Sequence, residues 1–418
     1  VSAARGLRIG VLGLGRIGRM HAAHLILTEG VGEVVLIGRD AGRLEEAAAA
    51  VEEEVTAALG REAAATAAVW GEPAREGVSA AAARPEAASR LGAASRPGAA
   101  GRDGGARDPG VQGADMQGAD PRGSEGRSRA AVSRRLTDGD GGHLEGLDGV
   151  VIATSTASHP ELIREAAAAG LPVLAEKPLA LDPEAQDALI RDLADAPAPV
   201  MLGYHRRYDP AYRDLRCRVR TGEMGRIRLV HAVSHDHHHV SPDYVGPSGG
   251  IWRDLAIHDF DAVPWLLGEE VRSVYATGSA IDGPGYAEQG DLDTATAILT
   301  FASRAQAVVS AARNIAAGHD VRTEVYGSEG AYGTGLDGMV PVLSTEPGIA
   351  PPGDTHEEFT DRFGRAFRVE AAHFVSLLRG EAENLTPPAA CAGALRLALA
   401  AEKSVRTGMP VAVPASSK

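Results

Sequence analysis

Lysine is scarce in this chain. Of its 42 basic residues only Lys177, Lys403 and Lys418 are lysines, and Lys177 stands inside Glu176-Lys177-Pro178. Arginine stays protonated at any usable pH, whereas a desolvated lysine can give up its proton and act as an acid or base. A lysine kept where arginine would satisfy the charge is therefore a candidate for chemistry; the plain alternative is chance survival under a coding bias. Further on, Gly249-Gly-Ile-Trp-Arg-Asp254-Leu-Ala-Ile-His258-Asp-Phe-Asp261 sets a carboxylate and an imidazole four residues apart. If the stretch is helical, the two share a face. A carboxylate beside an imidazole can orient and tune a general base near neutral pH. The same spacing also serves surface and capping pairs.

The elements that must position Lys177 are legible upstream. Residues 7–12 form a short apolar strand that runs into Gly13-Leu-Gly15-Arg16-Ile17-Gly18, a helical stretch over about 16–29, and a second strand at 34–37. Between a strand and a helix, this glycine spacing predicts a dinucleotide site. The first glycine makes the tight turn, the second lets backbone approach a pyrophosphate, and the third allows close helix–strand packing. An NAD-selective site would carry Asp or Glu about 20 residues beyond the last glycine. That register falls on Gly38, followed by Arg39, which leans the cofactor toward NADP over NAD; Asp40, two positions on, could restore NAD use.

Residues 149–153 are another buried strand, ending in Thr154-Ser155-Thr-Ala-Ser-His159-Pro160. A helix over 161–169 leads to the strand 171–175, which delivers Glu176-Lys177-Pro178 at its carboxyl end. A further helix (183–193) and strand (200–203) follow. Strands alternating with helices imply a Rossmann doubly wound parallel sheet with its ligand at the strand ends. Beyond residue 205, strands at 227–231, 274–279, 294–301, 307–311 and 323–326 follow one another with few helices between. They predict an open, largely antiparallel sheet packed on helices. The expected organisation is thus a dinucleotide-binding domain over 1–205 and a second, α/β domain with C-terminal helices over 206–410. The first is interrupted over about 72–142 by an Ala/Gly/Arg/Ser/Pro-rich insert that is too poor in apolar surface to fold.

A net charge of −14 without a basic stripe argues against nucleic acid. Two widely spaced cysteines, Cys217 and Cys391, fit a reducing compartment and give no disulfide or metal-knuckle pattern. No apolar run is long enough to cross a bilayer. The expectation is a cytoplasmic protein.

The motifs above, with Arg206-Arg207-Tyr208-Asp-Pro210, Gly290-Asp-Leu-Asp-Thr294 and Arg362-Phe363…Ala366-Phe367-Arg368, occur in the order seen in the glucose–fructose oxidoreductase and inositol dehydrogenase family. The chain resembles that family outside the insert, inositol 2-dehydrogenases most of all. The resemblance implies an NAD(P)-dependent dehydrogenase that moves hydride between nicotinamide and a secondary alcohol of a cyclitol, polyol or sugar. His258 would then be the general base, Lys177 a hydrogen-bond donor to the reacting oxygen, and Asp254 their support. It also implies that Gly13, Gly15, Arg16, Ile17, Gly18, Gly38, Arg39, Thr154, Ser155, His159, Glu176 and Lys177 meet the cofactor. Lys177, His205, Arg206, Asp236, Asp254, His258 and His319 would meet the substrate. A homodimer or homotetramer is implied, with no metal.

The chain departs from the inositol dehydrogenase pattern in Ser234-His-Asp-His-His-His239, at Ala317 and His319, and in having His205 ahead of Arg206. The ring oxidised could therefore differ from myo-inositol. His235, His237, His238 and His239 invite a metal reading. Strand alternation would send neighbours to opposite faces, and a site needs ligands from separate elements. Two other functions fit the scaffold. One is a nicotinamide-dependent glycoside hydrolase. The other is a dinucleotide-sensing regulator, although a sensor has no use for proton-transfer groups.

Overall fold

A computed structural model of the chain describes residues 5–70, 129–137, 142–282 and 284–414. These divide into two compact units, one of residues 1–56 with 129–418 and the other of 57–128. The second is described only through its helical residues up to Trp70, and every site residue lies in the first.

Six apolar runs form the first sheet: β1 (Leu7–Leu12), β2 (Val31–Gly38), β3 (Ala131–Leu136), β4 (Gly149–Ile152), β5 (Val173–Ala175) and β6 (Val200–Leu202). Their order is β3-β2-β1-β4-β5-β6, with every pair parallel. That is the doubly wound order whose direction reverses between β1 and β4, where such sheets open a crevice for ligand. Ile9, Val11, Val150 and Val151 are fully buried, because helices cover both faces and leave these strands no polar side. The crossovers use α1 (Arg16–Ile26), α2 (Ala41–Trp70), α3 (His159–Ala168) and α4 (Pro183–Asp192). Asp182 caps α4 by accepting from the Ala185 amide, with Pro183 in the first turn, a standard start signal.

One expectation needs correcting. The insert drawn over 72–142 runs too far, because Ala131–Leu136 pairs with β2 as the sheet's edge strand. Its sequence, Ala-Val-Ser-Arg-Arg-Leu, reads as polar because an edge strand is half solvated and held by backbone pairing and polar partners. Ser133 Oγ donates to Glu33 Oε1 at 2.5 Å, and Arg134 pairs with Glu45. Residues 72–128 and 138–141 of the expected insert lie outside the described residues.

After α5 (Pro210–Arg220) the chain builds its second sheet. It contains β7 (Leu229–His235), the short helices α6 (Pro242–Ser248) and α7 (Gly250–Asp254), α8 (Ile257–Leu267), β8 (Val271–Ser279), α9 (Pro284–Glu288), β9 (Thr294–Phe301), β10 (Gln306–Ala312), β11 (Asp320–Tyr326) and β12 (Ala331–Thr334). Then come α10 (Phe359–Leu378), α11 (Pro388–Cys391), α12 (Gly393–Thr407) and β13 (Val411–Ala412). The order is β12-β11-β7-β10-β9-β8-β13, antiparallel except for the β7–β10 pair. Strands β7 and β9 bury every second residue, so one face packs on helices and the other stays open.

Helix α10 returns to pack on α1 of the first sheet. Behind it, Leu202 N donates to Thr386 O at 3.0 Å, and Asn384 Nδ2 donates to Val200 O at 2.7 Å. The 3₁₀ turn His205–Arg207 is tied to α8 by a buried ion pair, Arg207 to Asp261, in which both Asp261 oxygens accept, at 2.9 and 2.6 Å. Removing one partner of such a pair typically costs about 3–5 kcal/mol. Among the described residues, no helix is long and apolar enough to cross a membrane.

Candidate active site

The loop after β1 has the shape a dinucleotide needs. Gly13 adopts φ +88°, and a side chain there would strike the backbone of Ala153 at 2.4 Å. A Cβ on Gly18 would meet Gly13 O at 1.7 Å, whereas one on Gly15 would meet nothing within 4 Å. The first and third glycines thus let helix, turn and strand approach, and the second leaves an open cradle at the start of α1. These residues fit a pyrophosphate. Facing them, Thr154 Oγ1 accepts from Ser158 Oγ at 2.8 Å. The His159 ring lies between Thr154 O (3.1 Å) and Pro178 O (2.9 Å), joining the loop after β4 to the loop after β5. Arg16 lies over the Phe359 ring and 3.5 Å from Glu358. Ser155 stands ahead of the short 3₁₀ turn Thr156–Ser158, its backbone carbonyl accepting the Ser158 amide at 2.9 Å. At the tip of β2, Gly38 packs on Leu44, Arg39 is exposed, and Asp40 Oδ1 accepts the Arg43 amide at 2.8 Å, capping α2.

Strand β5 delivers Glu176 and Lys177. Burial pushes the Glu176 carboxyl upward, but the His21 hydrogen bond (2.7 Å), the His21 charge and Lys177 outweigh it and hold it below the usual range. Lys177 Nζ donates to Asp254 O at 2.9 Å and to Asp254 Oδ1 at 3.3 Å. Asp254 Oδ2 accepts from Arg313 at 2.8 Å, and Tyr244 donates to Oδ1 at 3.0 Å. Burial raises the Asp254 carboxyl, but Lys177 and Arg313 together hold it below its ordinary value. It is an anion clamped from both sides.

The expected pairing of Asp254 with His258 on one helix does not form. Helix α7 ends at Asp254, Leu255 and Ala256 make a separate turn, and α8 begins at Ile257. The amides of both Leu255 and Ala256 converge on Ile251 O, which breaks the regular ladder. At the start of α7, Gly249 and Gly250 both take left-handed φ, and Gly250 lies against Asp291, whose Oδ1 accepts the Ile251 amide at 2.9 Å. The break turns Asp254 toward Lys177 and Arg313.

His258 nevertheless lines the same cleft as Lys177 and Asp254, with Arg16, Ile17, Glu176, His205, Arg206, Asp236 and His319. Burial, then the charge of Lys177, drive the His258 pKa far below its ordinary value, so its ring is neutral. His205, 4.9 Å from His258 between ring centroids, is stacked on Phe367 and is likewise held far down by burial. Arg206 is pinned in a buried ion pair with Asp259 and by a 2.8 Å bond to Ser234, so it forms wall more than open donor. His319 lies 3.5 Å from Asp236 through Nδ1, and its Nε2 has no hydrogen-bond partner.

The four histidines after Ser234 separate. His235 ends β7 and bonds Ser310 Oγ at 2.8 Å, and His239 meets the Tyr286 hydroxyl at 3.2 Å. His237 and His238 lie beyond the strand, where alternation no longer governs direction, and both approach Glu357.

A doubly wound sheet with a glycine cradle, facing a cleft of lysine, carboxylate and imidazole, defines a nicotinamide-dependent oxidoreductase. Residues 140–204 match the oxidoreductase family with an NAD-binding Rossmann fold, and residues 212–333 match the GFO/IDH/MocA C-terminal domain. The chain is 37% identical over 278 residues to the myo-inositol dehydrogenase Hyg17 of Streptomyces leeuwenhoekii, covering 64% of this chain and 82% of that one. It is 34% identical over 268 residues to scyllo-inositol 2-dehydrogenase (NAD(+)) of Bacillus subtilis strain 168, covering 64% and 78%. Its fold matches that of the scyllo-inositol dehydrogenase of Lactobacillus casei solved with NAD(H) and scyllo-inositol. The TM-score is 0.70 at 23% identity, over 97% of this chain and 99% of that one. The chain belongs to the GFO/IDH/MocA family and is an NAD(P)-dependent dehydrogenase.

Sequence reading missed Arg313 and Tyr244. Arg313 is fully buried and reaches Asp254 and, at 3.8 Å, Asp291. An arginine closing the small-residue strand β10 was the available signal, since a guanidinium there must find a buried anion. Phe359, Phe363 and Phe367 of α10 also line the cleft, brought there by the return of α10 to α1.

A pH dependence follows. His205 has a folded pKa below its unfolded value of about 6.5, so its contribution to stability is present above that value and is lost as pH falls toward the depressed one. Glu370, buried and raised well above an ordinary glutamate, acts in the opposite sense. Replacing His205 with Gln isolates the histidine: between about pH 7.5 and about pH 5.5 the variant should lose less Tm than wild type. Equal losses in both proteins would contradict the assignment.

Proposed function

We propose that the protein oxidises a secondary alcohol of a cyclitol, an inositol or near relative, and that the same residues serve the reverse reduction. The observation that carries this reading is the single cleft lined by Lys177 from the end of β5 and by Asp254 and His258 from α7 and α8. The inositol dehydrogenases among the relatives supply the substrate class. When bound, the nicotinamide supplies the hydride acceptor. His258, neutral through burial and the nearby lysine, takes the hydroxyl proton. Lys177 donates a hydrogen bond to the same oxygen and stabilises the charge that grows there. Asp254, held by Arg313, keeps the ammonium aimed and the local charge balanced. Asp236 and His319 bind other hydroxyls of the ring, with His205 and Arg206 as the wall that shapes the pocket.

In this reading residues 1–205 hold the dinucleotide, and 206–410 hold the substrate and join copies of the chain. Tyr275 and Ile298, cross-strand partners on the open face of the second sheet, are 41% and 37% exposed, and this face joins copies into a dimer or tetramer. The dinucleotide is NADP in preference to NAD. Gly38 presents no carboxylate to a ribose 2′-phosphate, Asp40 is engaged in capping α2, and the Arg39 guanidinium can pair with the phosphate.

Two measurements test the reading. Lys177→Arg keeps the charge but not the compact ammonium, and kcat on myo- or scyllo-inositol should fall at least about a hundredfold. Wild-type turnover in that variant would remove Lys177 from the reaction. For the cofactor, the ratio of kcat/KM with NADP to that with NAD should exceed one, and a strong NAD preference would overturn that assignment.

A further inference from the structure

The proton-transfer site leaves one group of metal-ligating side chains unused. His237 and His238 stack with ring centroids 4.0 Å apart and planes 25° apart. Both turn to Glu357, far downstream and just ahead of α10: His237 Nδ1 lies 2.9 Å and His238 Nε2 3.6 Å from Glu357 Oε2. One ligand atom from each of the three falls within 4.8 Å of the others. The short contact is not a hydrogen bond. His237 Nδ1 is buried and has no hydrogen-bond partner, although a carboxylate oxygen stands beside it. An imidazole nitrogen buried next to a carboxylate, yet not bonded to it, is the arrangement of two ligands that face a common centre.

We propose that His237, His238 and Glu357 bind a divalent cation of borderline softness, zinc being the best match. Two imidazole nitrogens and one carboxylate oxygen suit zinc better than magnesium or calcium, which take shells of oxygen. Three protein ligands leave a fourth position for water. The objection that neighbouring histidines need a ligand from a separate element is met by Glu357.

The site has a structural consequence. Asp236 and Val240, which flank the two histidines, line the cleft, as does Phe359, two residues beyond Glu357. A cation here ties the loop after β7 to the start of α10 and fixes one rim of the substrate cleft. It adds no ligand to Lys177, Asp254 or His258, so the assignment stands apart from the dehydrogenase chemistry.

The test is calorimetric titration of zinc chloride into the untagged, metal-stripped full chain. One zinc per chain is expected. His237→Ala and Glu357→Gln should each raise the dissociation constant at least about tenfold, and Glu357, whose side chain is largely exposed, gives the variant that leaves packing undisturbed. Lys177→Met and His239→Gln should leave it unchanged. X-ray absorption at the zinc edge of the loaded protein should show two imidazole nitrogens. No stoichiometric binding, wild-type affinity in the His237 and Glu357 variants, or a shell of oxygen alone would overturn the proposal.

Discussion

One carboxylate holds the active cleft together. Asp254 stands where the second sheet's helices meet the end of β5, and it accepts hydrogen bonds from Lys177, Arg313 and Tyr244. A buried carboxylate is costly unless paired, and here two cations from different elements compensate it. Because those cations come from β5 and β10, the charge balance also fixes how the dinucleotide sheet and the second sheet present their residues to one space. Without Asp254, Lys177 would lose its carboxylate and the buried Arg313 would keep only the more distant Asp291.

Around that carboxylate the fold sets protonation by environment. His258 and His205 lie in a wall of aromatic rings beside cations, which favours their neutral forms. A neutral imidazole can accept a proton, so burial supplies a base without a dedicated carboxylate partner. Arg206 and Arg207 illustrate the complementary rule. Both are buried, and each is matched by an aspartate of α8, Asp259 and Asp261. They stiffen the connection from β6 to α8, and hence the position of His258.

Much of this was legible in the sequence because the informative residues sit at strand ends and in tight turns. The spacing of Gly13, Gly15 and Gly18 carries its own geometry, and Glu176-Lys177-Pro178 follows an apolar run whose direction is fixed by the sheet. Less legible was whatever depends on contacts between distant residues. Asp254 and His258 read as helical neighbours, yet the turn at Leu255 and Ala256 separates them and gives Asp254 to Arg313, 59 residues away. Arg206 reads as a free donor until Asp259 and Ser234 are seen around it. The edge strand β3 looks like insert because half of it faces water, and the return of α10 to α1 has no local signal. The coupling of His237 and His238 to Glu357 is of the same kind.

The account depends on Lys177 and His258 acting as one unit on a single oxygen, and a double-mutant cycle in kcat/KM, using Lys177→Met and His258→Gln with an inositol substrate, tests this most directly. Each single substitution should cost at least about a hundredfold, and the double variant should be little worse than the poorer single one, because groups that act together are strongly non-additive. Losses that multiply in full, or near wild-type turnover in either single variant, would contradict it.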